Sequence, residues 1–220
     1  MEPHSDLSPL QRDVLKAFFE REREFFLTGG AALTGYHLHH RTTDDLDLFA
    51  LEMATFERGP YVIKDVARAL GAELSVRQDA PGFKRYTLKR HDEVLVVDLV
   101  LDQVKQVHAE KPEYAGVRVD PPDEILANKL TALVARSEER DLVDVLFLER
   151  AGYRVEDALA KALAKDGGCT GDAGVAPLRA RDSRWLDSAR ENYARRTSRL
   201  PQGSRGSAPP GGGSSPQMSV

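Results

Sequence analysis

The 220-residue chain holds a single cysteine, Cys169. One thiol excludes an internal disulfide and any cysteine-based metal cluster. Cys169 lies in the loop-like run Lys165-Asp166-Gly167-Gly168-Cys169-Thr170-Gly171 with no base beside it, which argues against a catalytic thiol. No apolar run approaches the length that crosses a bilayer. The first residues, Met1-Glu2-Pro3-His4-Ser5-Asp6, are acidic and polar, unlike a secretory leader. The expected setting is therefore cytoplasmic, without a membrane. No internal repeat is visible.

What is present suits a folded globule. Hydrophobic residues make up 41% of the chain and charged residues 30%, and the length allows one compact domain of ordinary size or one with a small appendage. The formal net charge of −4 is unevenly spread. Between Arg179 and Arg199 seven arginines face three acids, and Trp185 and Tyr193 are interleaved with them. Such a segment can track a nucleic-acid backbone, or it can be the solvated face of a helix.

Along the chain, Ser8-Pro9 opens a helix with Leu10, Val14, Phe18 and Phe19 as its apolar stripe. Glu20 to Glu24 reads as its solvated end. Phe25 to Thr28 is a short strand that turns at Gly29-Gly30 into a helix over about 31–39. Leu46 to Leu51 is a second strand, and Tyr61 to Leu70 a helix ended by Gly71. Strands follow near 73–78, 84–90 and 94–101, with turns at Pro81-Gly82 and Arg90-His91-Asp92-Glu93. After Asp120-Pro121-Pro122-Asp123 a long helix runs toward Gly152, with a break near Ser137, and Val155 to Ala164 is another. Residues 166–177 read as a linker, 182–197 as a last helix, and Pro201 to Val220 as a disordered tail. The fold class expected is mixed α/β (α+β) followed by helices. Its boundaries are 1–118 for the core, 119–199 for a helical subdomain with the basic segment, and 200–220 for the tail.

The chemistry concentrates in two runs, Phe26-Leu27-Thr28-Gly29-Gly30-Ala31-Ala32-Leu33 and Arg41-Thr42-Thr43-Asp44-Asp45-Leu46-Asp47-Leu48-Phe49. Asp45 and Asp47 are two apart on a strand and share a side. Two acids on a mostly apolar strand are costly unless a cation neutralises them. An isolated Asp pair is often only a loop or a cap. Here a third acid, Asp98, sits inside Val94-Leu95-Val96-Val97-Asp98-Leu99-Val100, too apolar for a surface loop. The three acids point to a site for one or two Mg2+ ions, which Mn2+ can replace, bridging substrate phosphates. Asp44, odd-spaced, faces away. The Gly29-Gly30 turn lets backbone amides approach an anion, with Thr28 as a further hydroxyl donor, although any α/β protein can use such a turn. On the long helix, Lys129 and Arg136 fall within about 20° of each other, with Arg140 and Asp144 each about 40° further round. That stripe either grips phosphates or is an exposed face with an Arg140–Asp144 pair. His37 and His40 could share a helix face, but zinc needs more ligands.

The pattern L-T-G-G-A-A-L, then H-R-T-T-D-D-L-D-L-F, then an Asp in an apolar strand, then N-K-L-T-A-L-x-x-R-x-x-x-R-D-L-x-D, resembles the AbiEii/AbiGii toxin family over about residues 20 to 150. These are nucleotidyltransferases of the polymerase β-like superfamily. Members more strictly carry Gly-Ser in the turn, where this chain has Gly30-Ala31 and loses one hydroxyl. The resemblance implies a polymerase β-like core in which Gly29 and Gly30 form the nucleotide turn. It makes Asp45 and Asp47 metal ligands, Asp98 the third acid, and Lys129 the residue that holds the triphosphate and orients the leaving pyrophosphate. Arg136, Arg140, Asp141 and Asp144 match the family's helical motif, with Asp141 read as structural. It also implies an NTP donor, an RNA acceptor (a tRNA 3′ end), growth arrest and a cognate antitoxin. Nucleotidylylation of a protein or small molecule, and a catalytically silent nucleotide-binding protein, remain the alternatives.

Overall fold

Ser8 starts the first helix as the spacing predicts. Its hydroxyl accepts from the Gln11 amide at 3.2 Å, and the Gln11 side chain accepts from the Ser8 amide at 2.7 Å, closing a capping box. The computed structural model describes residues 6–135 and 139–166. In order these form α1 (Pro9–Phe19), β1 (Phe26–Thr28), α2 (Gly29–Ala32) running on into a π-helical segment (Leu33–His37), β2 (Asp45–Ala50), α3 (Met53–Ala69), β3 (Glu73–Ala80), β4 (Phe83–Arg90), β5 (Glu93–Leu101), β6 (Glu113–Tyr114), β7 (Val117–Arg118), α4 (Pro122–Ala135), α5 (Glu139–Arg150) and α6 (Val155–Asp166). No described helix is long and apolar enough to cross a membrane.

Five strands form one mixed sheet in the order β1-β2-β5-β4-β3. Only β2 and β5 run parallel; the other pairs are antiparallel. Alternation decides the faces. Leu46, Leu48 and Ala50 of β2 and Leu95, Val97 and Leu99 of β5 are buried and form one core with Leu10, Val14 and Phe18 of α1 and Phe56, Ile63 and Val66 of α3. Each such side chain contributes about 1.5–3 kcal/mol. The opposite face carries Asp45, Asp47 and Asp98.

Several local readings change. Helix α3 begins at Met53, eight residues before the sequence suggested, and holds Pro60 inside it. Gly59 and Pro60 look like a stop signal, but Gly59 is needed for packing. A Cβ there would stand 2.8 Å from Leu99 and 2.9 Å from Phe25. The stretch 20–24 is not simply solvated: Glu22 is buried and accepts from Arg58 Nε at 2.7 Å, while Glu24 accepts from Thr55 at 2.6 Å. The short β6–β7 pair has no apolar alternation to announce it.

The long helix is two helices, α4 and α5, on either side of the break read near Ser137, and they do not run on in line. Lys129 Nζ lies 2.7 Å from Asp141 and 2.8 Å from Asp144. On one straight helix, positions 129 and 144 would be about 22 Å apart. The chain therefore folds back, α4 packs on α5, and the angular stripe calculated for one helix does not exist. Arg136, Cys169, the basic 179–199 segment and the 200–220 tail lie outside the described residues.

Candidate active site

Register places the acids. Asp47 of β2 pairs with Asp98 of β5 across the parallel ladder, and Asp45 pairs with Val96. Residues paired in this way share a face, so Asp45, Asp47 and Asp98 lie together. The face they share is the one away from α1 and α3.

Gly29 meets Asp47 from the other side, because Thr28 pairs with Asp47 across β1 and β2. Gly29 has φ +67°, and a Cβ there would overlap the Asp47 carboxylate oxygen. Glycine is thus required twice, for conformation and for space. At Gly30 a Cβ would stand 2.5 Å from Nη2 of Arg41 and 3.3 Å from Oγ1 of Thr43. The glycine turn, Asp47 and the loop before β2 therefore form one tight cradle.

That loop is pinned from α1. Gln11 Nε2 donates to the Thr43 carbonyl at 2.9 Å, and the Thr43 hydroxyl donates to Asp45 Oδ1 at 2.5 Å. Arg41 leaves the same loop and reaches α5. Its Nε and Nη2 donate to the two oxygens of Asp144 at 2.7 and 2.9 Å, a bidentate fork. His40 Nε2 is 2.7 Å from Asp144 Oδ1, so that ring nitrogen carries the proton, since a carboxylate only accepts.

Asp144 is fully buried. Burial would raise its carboxyl pKa, but hydrogen bonds from Arg41 and His40 and the charge of Lys129 outweigh burial and hold it well below the usual range. For Lys129, burial works downward, and Asp144 and Asp141 outweigh it, so the ammonium is held above its ordinary value. Asp144 therefore positions Arg41 and Lys129 and is not itself exposed to a ligand. Arg140 sits exposed in the first turn of α5.

A second buried network lies under the turn. The Thr28 hydroxyl donates to Asp120 Oδ2 at 2.7 Å, so it faces inward. Lys111 Nζ is 2.7 Å from Asp120 Oδ1 and 3.4 Å from Glu124, all fully buried. Lys111 also lies 4.8 Å over the Phe26 ring. Burial pushes the Asp120 carboxyl up. His37 bonds the Asp120 carbonyl at 2.9 Å and so is held apart from His40; among the described residues no group of three or more His, Cys, Asp or Glu is arranged to hold a metal.

Asp98 has a partner that sequence reasoning missed. Arg85, opposite it on β4, donates from Nε and Nη2 at 2.8 and 2.7 Å. Arg41, Lys111 and Asp120 were missed as well. Arg41 alone had a local cue, standing in the same run as Asp45 and Asp47.

Divalent magnesium suits part of this donor set. Asp45 and Asp47 are half-buried hard-oxygen donors, and the missing side chain of Gly29 leaves room beside Asp47. Asp98 stands beside Asp47 with each of its oxygens accepting one hydrogen bond from Arg85.

The comparisons with known proteins give the family and the fold. The family model described as nucleotidyl transferase AbiEii toxin, type IV TA system, matches residues 13–206. The match runs past residue 150 and takes in the basic segment. A search of curated proteins by sequence returns no match. Among solved structures, JHP933 from Helicobacter pylori is similar with a TM-score of 0.53 and 16% identity, over 86% of this chain and 92% of that one. A second H. pylori protein, described as a "putative nucleotidyltransferase", is similar with a TM-score of 0.51 and 18% identity, over 86% and 93%. At these identities the likeness is one of fold.

Proposed function

We propose a reaction for this chain, which belongs to the AbiEii family of nucleotidyltransferase toxins, on the strength of one observation. Asp47 and Asp98 stand opposite each other on parallel strands, with the Gly29 cradle against Asp47.

The reaction is transfer of a nucleoside monophosphate from an NTP to an RNA hydroxyl, with the 3′ end of a tRNA as acceptor. The hydroxyl oxygen bonds to the α-phosphorus, the bond to the β-phosphate oxygen breaks, and pyrophosphate leaves. The hydroxyl proton passes to Asp98. Asp45 and Asp47 would hold Mg2+, which when bound supplies positive charge at the phosphates. Gly29 and Gly30 admit the phosphate chain close to the backbone. Arg41 and Lys129, fixed by Asp144, supply cationic charge beside it. Thr28 acts through its backbone and not its hydroxyl, which Asp120 holds. The family motif would add Arg136 and Arg140 to the groups that bind the nucleotide. As a type IV toxin, the protein would arrest growth and be countered by a cognate antitoxin.

The experiment is incubation of the purified chain with each α-labelled NTP, magnesium and total tRNA, beside Asp45→Ala/Asp47→Ala. Label on tRNA from the wild type alone supports the reading and names the nucleotide. Label on protein or small molecules would move the acceptor to another class. NTP binding without any label would leave a silent nucleotide-binding protein.

A further inference from the structure

Arg85 and Asp98 are unequal partners. Asp98 has 6% of its side chain exposed and Arg85 has 47%. The guanidinium lies over the Phe83 ring at 5.5 Å. Its fork on Asp98 uses two of five N–H donors. A fork that fits a carboxylate fits a phosphate equally well.

The surroundings of Arg85 differ from those of the glycine turn. On the β1 side the acid-bearing face is covered, with Lys111 over Phe26 and Asp120 on Thr28. On the β4 side it continues outward through residues of the same face by register. Thr87 pairs with Val96, and Lys89 with Val94. Arg77 Nε donates to the Thr87 hydroxyl at 3.0 Å. Arg77 and Lys89 are exposed, and Glu73, opposite Lys89, is the acid paired there. Arginine and lysine thus predominate beyond Asp98.

In-line displacement sets the direction of each reactant. The attacking oxygen and the leaving pyrophosphate lie on opposite sides of the transferred phosphorus. Gly29, Arg41 and Lys129 stand on the β1–β2 side of the acids, so the pyrophosphate leaves there. The attacking strand must then arrive over β5 and β4. We propose that β4 and β3 carry the RNA acceptor, and that Arg85 is the first contact for its terminal phosphate, exchanging Asp98 for that phosphate. The exchange frees both oxygens of Asp98 from Arg85 as the acceptor hydroxyl arrives, so the third acid turns to the hydroxyl when an acceptor is present. This rests on the transferase reading above.

The test uses the full chain and a short fluorescein-labelled single-stranded RNA, with binding read by anisotropy across a salt series. Binding of each NTP in the presence of Mn2+ is measured alongside, and thermal melting confirms folding. Arg85→Gln is expected to weaken RNA binding about tenfold and to lower the salt slope by about 0.7. Arg85→Lys, which keeps the charge but loses the fork, is expected to fall between. Arg77→Gln, at an exposed position where folding is not at risk, is expected to weaken RNA binding in the same direction by less. NTP binding is expected to stay at the wild-type level in all three. RNA binding unchanged in both Arg85→Gln and Arg77→Gln would overturn the proposal. So would loss of NTP binding in Arg85→Gln, which would assign Arg85 to the donor. A wild-type chain that binds NTP but no RNA would also overturn it, pointing to a protein or small-molecule acceptor. A wild-type chain that binds no NTP would instead defeat the transferase reading, a different and separately visible result.

Discussion

Arg41 holds both oxygens of Asp144, at 2.7 and 2.9 Å, across 103 residues of sequence. The pair ties the loop that leads into Asp45 to the second helix of the C-terminal group. Lys129 from α4 joins the same carboxylate. One buried acid thus holds two cations, of which Arg41 stands against Gly30.

Asp144→Asn should lower stability by about 3–5 kcal/mol at neutral pH, because Arg41 and Lys129 lose their buried counter-charge. The pH dependence carries a sign that can be checked. The folded Asp144 pKa lies below its ordinary 3.8, so its contribution is present above pH 3.8 and is lost as pH falls below it. Thermal melting from pH 6 to pH 2 should show this loss in the wild type. The same slope in Asp144→Asn would place the acid sensitivity elsewhere.

Asp47→Ala should abolish nucleotidyl transfer, by at least about a hundredfold, with little change in melting temperature. The residue is half-exposed and on the face away from the core. Labelled-NTP transfer and a melting curve on the same sample settle it. Wild-type turnover in this variant would remove Asp47 from the site.

Gly29→Ala should cost about 1–3 kcal/mol from its positive φ and should also displace the Asp47 carboxylate. Activity is therefore expected to fall far more than stability. A variant equally reduced in both would mean that the turn matters only for folding.

Lys111→Met and Asp120→Asn should each destabilise by about 3–5 kcal/mol, since each strands a buried partner. The double variant Lys111→Met/Asp120→Leu should recover only part of the stability, because Glu124 stays buried without Lys111. Its transfer activity should stay low, because Thr28 has lost the acceptor that orients the turn. Denaturant unfolding and the transfer assay together separate the two effects.

What the sequence made visible was local. The strands bearing Asp45, Asp47 and Asp98 show their alternation within a few residues, and Ser8-Pro9 announces a helix by its own chemistry. What stayed hidden was long-range. Arg85 opposite Asp98 follows from the turn at Arg90–Glu93 once it is read as a tight hairpin with an unbroken register, a step the strand pattern alone does not supply. Nothing near Thr28 points to Asp120, 92 positions away. The early start of α3 was hidden for a related reason, since the packing beside Pro60 comes from Phe25 and Leu99. The helical motif after Lys129 was recognisable, yet its geometry was misjudged. Residues on two packed helices can meet at 2.7 Å where one straight helix would keep them apart.

The parallel pairing of β2 with β5 also governs when the protein can act. Asp47 meets Asp98 only after α3, β3 and β4 have formed the crossover between their strands, and Arg41 finds Asp144 later still along the chain. Contacts so distant in sequence form slowly compared with local ones. A chain made only as far as β5 holds all three acids but leaves Arg41 without Asp144, so the cations beside the acids are fixed only once α5 is complete.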